Sequence, residues 1–304
     1  MGMAGTEADR GPPPPLADRA PWPLVRVVDG RIHRVRDTVA LESPLTLMLN
    51  GREWVTLLAT PSHSEELVLG FLAAEGVVQH AGEVSRLVLD AEDGRAWIRC
   101  PGLSPAARDE ILVGRRTLSA CCGRGHPGLV FASDVDVPPV PAGAVLAAPE
   151  RIPAWVEALD LSAEAFHDTG GMHTVGLASI DRDGFWVVRS DVGRHNALDK
   201  VAGWCLQQGA PDPGAAAIVF SGRVSAEVVV KAGRLGAGLV VSHAAPTTLG
   251  LQMADRLGVT VVAFARGARF GVYTHPERIA WPSGSPSPHR PRMESPAAPH
   301  DTPG

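Results

Sequence analysis

Two cysteines stand side by side in Ser119-Ala120-Cys121-Cys122-Gly123-Arg124-Gly125-His126. Glycines give such a loop the backbone freedom to present a thiol to a partner. Arg115, Arg116, Arg124 and His126 favour the thiolate, the form that attacks and carries sulfur. A zinc site needs C-x₂-C spacing and usually a second pair, neither of which occurs here, so no metal is expected. A disulfide between chain neighbours would be strained and a poor staple. Cys100 and Cys205 lie in apolar runs and read as core residues.

A second concentration of chemistry lies downstream. In Asp191-Val192-Gly193-Arg194-His195-Asn196-Ala197-Leu198-Asp199-Lys200 the first residues precede or open a helix, whose free N–H groups suit an anion. Arg194, His195 and Lys200 add positive charge or donors, which suggests a phosphate or pyranopterin site. Asp199 and Lys200 could equally pair on a solvated helix face. Ser221-Gly222-Arg223, His243 and Phe264-Ala265-Arg266-Gly267-Ala268-Arg269 each end an apolar run with small, polar or basic residues. Arginine pairs with phosphate and stacks on flat rings. His167, Asp168 and His173, around Gly170-Gly171, could be proton donors, ligands or ordinary hydrogen-bonding residues. GxGxxG and Walker patterns are absent, as are the hydrolase G-x-S-x-G elbow and the zinc-deaminase H-x-E and P-C-x-x-C signatures.

These residues need elements to position them. Short apolar or alternating runs at 24–28, 45–49 and 54–59 read as strands, with Asn50-Gly51 as a two-residue hairpin turn. Ser62 and Glu65 form a capping-box pattern for a helix over 62–75. A second hairpin, 84–90 with 96–100, turns at Asp93-Gly94. A helix over 105–112 leads to the run 115–119 and the cysteine pair, and a connector spans 131–147. A helix is expected near 153–159, and a third hairpin joins 172–180 to 185–189 around Asp183-Gly184. From residue 195 helices at 195–207, 225–235 and 247–257 alternate with apolar runs at 216–220, 239–242 and 259–264. That is the grammar of buried parallel strands in βαβ units, which bind ligands at the strands' carboxyl ends.

The chain has 304 residues, 45% hydrophobic and 20% charged, with net charge −5. That composition is globular and argues against broad binding to nucleic acid or anionic membrane. The start lacks the basic and apolar regions of a signal peptide, and no run is long enough to span a membrane, so a reducing cytoplasm is expected. Of 27 prolines, six lie in 1–23 and seven in 281–304, so both ends read as disordered tails. Between them the expected organisation is a strand-rich domain over 24–140 carrying the cysteine loop, then an α/β domain over 141–280.

The segments 167–173, 191–200, 221–223, 264–267 and Tyr273-Thr274-His275-Pro276-Glu277-Arg278 together resemble the formate dehydrogenase accessory protein family, FdhD. The resemblance runs in order over about residues 24–280. It implies a sulfurtransferase or sulfur carrier, in which a loop cysteine takes persulfide sulfur from a cysteine desulfurase. The sulfur passes to the molybdenum cofactor, in its bis-molybdopterin guanine dinucleotide form, for formate dehydrogenase. It also implies a cytoplasmic homodimer and a second domain like that of cytidine deaminase, a three-layer αβα unit with a mixed sheet, without zinc. The residues expected to hold the cofactor are Phe264, Ala265, Arg266, Gly267, Ala268, Arg269, His173, Arg194, His195, Lys200, Ser221, Arg223 and His243. The family often shows S-S-C-G-x-C-G, with two cysteines, where this chain has S-A-C-C-G-R-G. Keeping the C-G-x turn puts the persulfide on Cys122, while matching the preceding Ser-Ala puts it on Cys121. The C-x-x-C pair is absent either way, which leaves a one-cysteine mechanism. The rival reading is a noncatalytic cofactor-binding chaperone, and a third is a regulatory nucleotide-binding module.

Overall fold

The computed structural model describes residues 18–103, 116–118, 137–141, 147–209, 211–212 and 214–283. The expected helix over 105–112, the cysteine segment with Cys121, Cys122, Arg124 and His126, and most of the connector lie outside the described residues.

Strands β1 (Arg19–Val28) and β2 (Arg31–Ala40) form a hairpin of their own. The tail therefore gives way to strand at Arg19, five residues earlier than expected, and β2 was not foreseen at all. The signal was present: Asp29-Gly30 is the same turn type as Asn50-Gly51, with φ of 49° and 74°.

Strands β3 (Ser43–Leu49), β4 (Arg52–Ala59), β5 (Arg86–Asp90), β6 (Arg95–Arg99) and β7 (Arg116–Leu118) form a five-stranded sheet in the order β5-β6-β3-β4-β7. Asn50-Gly51 turns β3 into β4 as its residue types dictate, with φ of 50° and 85°. Helix α1 (Ser64–Ala74) lays Leu67, Val68, Phe71 and Leu72 on Leu47, Leu49, Val55, Leu57 and Ile98 of that sheet. The expected Ser62–Glu65 capping box does not form. His63 caps α1 in a left-handed conformation, without a side-chain bond, and the Ser64 hydroxyl donates back to Pro61 O.

Helices α2 (Arg151–Leu161) and α3 (Glu164–Thr169) lead into the second sheet. It contains β8 (His173–Ser179), β9 (Phe185–Asp191), β10 (Ala216–Phe220), β11 (Ala237–Ser242), β12 (Thr260–Arg266) and β13 (Arg269–Val272), ordered β13-β12-β11-β10-β8-β9. β10, β11 and β12 are parallel, and β8, β9 and β13 are antiparallel additions, so the sheet is mixed as expected. Alternation along β10 explains its continuous apolar run. Ala216, Ile218 and Phe220 face a core with α4 (Arg194–Gln208), α5 (Ala226–Arg234) and α6 (Thr248–Leu257), while Ala217 and Val219 face Ile152, Trp155 and Leu159 of α2. Helices on both faces make three layers. Val137 and Val140 pack in the core between α4–α6 and the six-stranded sheet.

The five-stranded and six-stranded sheets are joined through helices. α1 and α5 do not meet broadly, but α1 and α4 pack so closely that Gly70 of α1 and Gly203 of α4 touch the opposing backbone. A Cβ on Gly70 would lie 1.8 Å from Asp199 O, and one on Gly203 1.8 Å from Glu66 O. Beside this contact the Arg189 guanidinium of β9 grips the Glu66 carboxylate of α1 with both forks, one at 2.6 Å. The Arg234 guanidinium of α5 donates to the Ala74 carbonyl at the end of α1.

Candidate functional site

The ends of β10, β11 and β12 and the start of β8 lie along one edge of the mixed sheet, and a chain of hydrogen bonds laces them together. The Ser221 hydroxyl accepts from Thr174 N–H and lies 3.2 Å from His173 Nδ1. The Ser242 hydroxyl donates to Gly222 O at 2.6 Å and accepts from Ala244 N–H. Phe264 N–H donates to Ala244 O at 3.3 Å. The side chains that close this chain are serines, because a short hydroxyl can both donate and accept in a tight strand end.

Arg194 opens α4 and crosses this edge. A Cβ on Gly222 would lie 2.7 Å from the Phe220 ring and 3.2 Å from Arg194 Cδ, so the bare glycine leaves room for both side chains. Burial, then the Arg194 charge, lowers the His173 pKa. His195, next on α4, is nine-tenths buried, and its Nε2 lies 3.3 Å from Glu227 Oε2 without hydrogen-bond alignment. The Ser225 hydroxyl and His243 Nε2 are also buried without a hydrogen-bond partner among the described residues. Two polar atoms left without a hydrogen bond among the described residues, the Ser225 hydroxyl and His243 Nε2, are what a polar ligand at this edge would satisfy. Arg223 is exposed at the same edge.

β12 runs on past the edge. Phe264 takes a left-handed φ of 51° where the β12–β13 register shifts, and its ring is half exposed. An aromatic residue in that conformation is strained by about 1–3 kcal/mol, which the surroundings must enforce. Arg266 and Arg269 then face each other across the Gly267-Ala268 turn, both exposed. Like charges directly opposite on a hairpin repel, and an anion between them removes the repulsion. Ala265 points the other way, into the α2 side of the core, so its side chain is packing.

Lys200 requires a correction. It was expected at the ligand, but its side chain is fully buried and its ammonium is 2.7 Å from Asp191 Oδ2 and donates to Thr60 O and Ser190 O. Burial lowers its pKa, against the pull of Asp191. Asp191 also accepts from Thr60 N–H, Gly193 N–H and the Asn196 amide, and that amide donates in turn to Leu58 O. Leu58 lies in β4 and Thr60 just after it, on the five-stranded sheet. The 191–200 motif therefore has two faces: Arg194 and His195 at the strand-end edge, and Asp191, Asn196 and Lys200 clamped to the end of β4. Asp199 goes with the second face. Its carboxylate meets the Lys231 ammonium at 2.7 Å, and burial pushes the Asp199 carboxyl up to about 6. Burial also works against the Lys231 charge, but Asp199 and Glu227 outweigh it and raise the Lys231 pKa. Lys231 is thus the fixed charge of the pair and Asp199 its softer member.

The 167–171 segment is structural. His167 Nε2 lies 2.7 Å from Asp160 O, Asp168 is paired with Arg19 of β1, and Gly170 ends α3 with a φ of 64°. Thr247 caps α6, accepting from Gly250 N–H. Cys100 and Cys205 are buried free thiols, and burial pushes the Cys205 pKa up to about 12.

The pKa of His195 gives the site a pH signature. Burial, opposed by Glu227, holds it at about 4 against 6.5 for a free imidazole. A ring kept neutral in the fold contributes stability that is complete above pH 6.5 and is lost as pH falls through 4. The loss from this residue is on the order of 3 kcal/mol. Urea midpoints of wild type and His195→Gln at pH 7 and at pH 4.5 measure it. The wild type should lose more between the two pH values than the variant, and equal losses would show that His195 is not the source.

The FdhD/NarQ family model matches residues 40–280. The chain is 41% identical over 254 residues to the sulfur carrier protein FdhD of Bacillus subtilis strain 168, an alignment covering 84% of this chain and 95% of the relative. It is 40% identical over 260 residues to the protein of the same name from Geobacillus kaustophilus, again 84% and 95% of the two chains. The fold is similar to the crystal structure of a candidate formate dehydrogenase accessory protein from Desulfotalea psychrophila. The TM-score is 0.68 at 25% identity, over 86% of this chain and 99% of that one.

Proposed function

The chain belongs to the FdhD/NarQ family, and from that premise we propose that it is a sulfur carrier in the maturation of a formate dehydrogenase. The names of its relatives support the carrier role, and the laced strand-end edge supports a large anionic cargo. In the finer form of the proposal, a cysteine desulfurase in the cytoplasm transfers persulfide sulfur to Cys122, or to Cys121. The thiolate attacks the outer sulfur of the donor persulfide, a new S–S bond forms on the chain's cysteine, and the donor leaves as thiolate. The molybdenum cofactor, bis-molybdopterin guanine dinucleotide, is then the substrate to which the sulfur passes.

The cargo fits the residues present. Its pyrophosphates would lie against Arg194, Arg223, Arg266 and Arg269, and its guanine rings could stack on exposed Phe264. His173, Ser221, Ser225 and His243 supply the polar groups of the edge. The single observation carrying the reading is that buried polar atoms without a hydrogen bond among the described residues and exposed arginines gather on the one edge where βαβ sheets bind ligands.

Intact-mass spectrometry after incubation with a desulfurase and cysteine, followed by peptide mapping, tests it. Wild type should gain about 32 Da, one sulfur atom, on the peptide carrying Cys121 and Cys122, because a persulfide adds sulfur to a reactive thiolate. The Cys121→Ala/Cys122→Ala double variant should gain none. Full sulfur transfer to the cofactor by that double variant would end the persulfide proposal and leave the cofactor-binding chaperone.

A further inference from the structure

The β1–β2 hairpin stands apart from both sheets. Its strands are ten residues each, yet among the described residues nothing pairs with its outer edges, and it touches the body of the protein mainly near α3. A lone two-stranded ribbon is marginal in water, and this one leaves Val25, Val27 and Ile32 exposed at 60%, 64% and 73%.

The two edges are not alike. The two-residue Asp29-Gly30 turn makes Val28 and Arg31 the first hydrogen-bonded pair. The same phase holds at the far end, where Leu41 N–H donates to Asp18 O. By alternation Pro21 and Pro23 fall at non-bonded positions, with their nitrogens facing outward. Lacking N–H groups, they blunt the outer edge of β1. β2 contains no proline. Its outward donors and acceptors come from Ile32, Arg34, Arg36 and Thr38, whose side chains share the face of Val25 and Val27.

The arm is basic on an acidic chain. Residues 19–40 contain five arginines against Asp29 and Asp37, whereas the whole chain carries −5. Arg19 is bound to Asp168 and Arg26 to Asp37. Arg31, Arg34 and Arg36 have no partner among the described residues. A second copy of this chain is a poor occupant for the open edge. Twofold pairing of β2 with itself, in any register centred on the strand, sets Arg34 or Arg36 opposite Arg34 or Arg36. The bare apolar tip is equally ill suited to nucleic acid, whose backbone calls for polar surface.

We infer that the outer edge of β2 is a docking strand for an extended acidic segment of another protein, which adds to the hairpin as a third strand. Its carboxylates lie on one face, opposite Arg34 and Arg36, so backbone bonds supply affinity and the arginines select the partner. This inference stands apart from the sulfur-carrier reading and survives its failure.

The test uses the full chain and a labelled peptide of about ten residues alternating valine and glutamate, the length of a β2-sized strand. A valine–lysine peptide and a single-stranded DNA oligonucleotide serve as the other arms. Anisotropy should show the glutamate peptide binding at least about tenfold more tightly than the lysine peptide, a difference of about 1.4 kcal/mol. Amide exchange should slow at Ile32, Arg34, Arg36 and Thr38 on binding. Arg34→Glu/Arg36→Glu should reverse the preference between the two peptides, which a merely unfolded arm would not do. The proposal is overturned if the acidic peptide does not bind, or binds without protecting those amides. It is also overturned if the oligonucleotide binds as tightly. Protection already present before peptide is added overturns it too: if protection grows with protein concentration the edge is a self-contact, and if it does not the chain itself covers the edge.

Discussion

Gly203→Ala is expected to lower the stability of the protein by at least about 3 kcal/mol. Helix propensity alone points the other way, since alanine in a helix interior is favoured over glycine by about 1 kcal/mol. Space decides the sign. The new methyl would lie 1.8 Å from the Glu66 carbonyl oxygen and 2.7 Å from its Cα, and these are backbone atoms inside a packed helix. They can be relieved only by moving α1 away from α4. That movement would also pull Glu66 from Arg189 and Thr60 from Lys200. Gly70→Ala should act in the same way through Asp199 O. Urea unfolding measures both, and a variant as stable as wild type, or more so, would show that the interface opens without penalty.

Lys200→Met should cost about 3–5 kcal/mol, the usual penalty for leaving one member of a buried ion pair alone. Methionine fills much of the same volume, so the loss is electrostatic. The Asp191 carboxylate would keep its three N–H donors but lose the Lys200 cation paired with it, and Thr60 O and Ser190 O would lose a donor. Arg194→Ala is the contrasting variant. It lies at the strand-end edge, so it should weaken binding of a guanine nucleotide probe while changing stability far less. The decisive result is which variant moves which quantity. If Lys200→Met left the urea midpoint unchanged and abolished only nucleotide binding, the lysine would belong to the ligand after all.

The contrast marks where sequence reasoning succeeds and where it stops. Strands β10–β12 and helices α4–α6 were legible because a buried parallel strand is a continuous apolar run and its connecting helix has a different period. The hairpin at Asn50-Gly51 was legible because two positive φ values demand such residues. What sequence could not give was direction. Within the 191–200 motif a helix turns its residues to different sides, and Arg194 and Lys200, one charge type on one helix, end on opposite errands. Nothing in their identity says that Lys200 meets Thr60, 140 positions away. The Ser62–Glu65 pattern failed for a related reason. The chain enters α1 through His63 in a left-handed turn, three residues after Thr60 donates to Asp191, so a contact 131 positions away sits beside the turn. The sequence places Phe264 among the site residues, but its left-handed conformation falls where the β12–β13 register shifts, which no local pattern announces.

The clamp between the two sheets also sets an order on synthesis. Glu66 waits for Arg189, 123 positions later, and Thr60 waits for Lys200, 140 positions later. At about 5–20 residues per second, the ribosome takes on the order of ten seconds to supply them. Through that interval α1 can rest on its own sheet, but the flank bearing Gly70 and Glu66 has nothing to close against. The first half of a nascent chain is therefore an incomplete object, finished only when the second half of the message has been read.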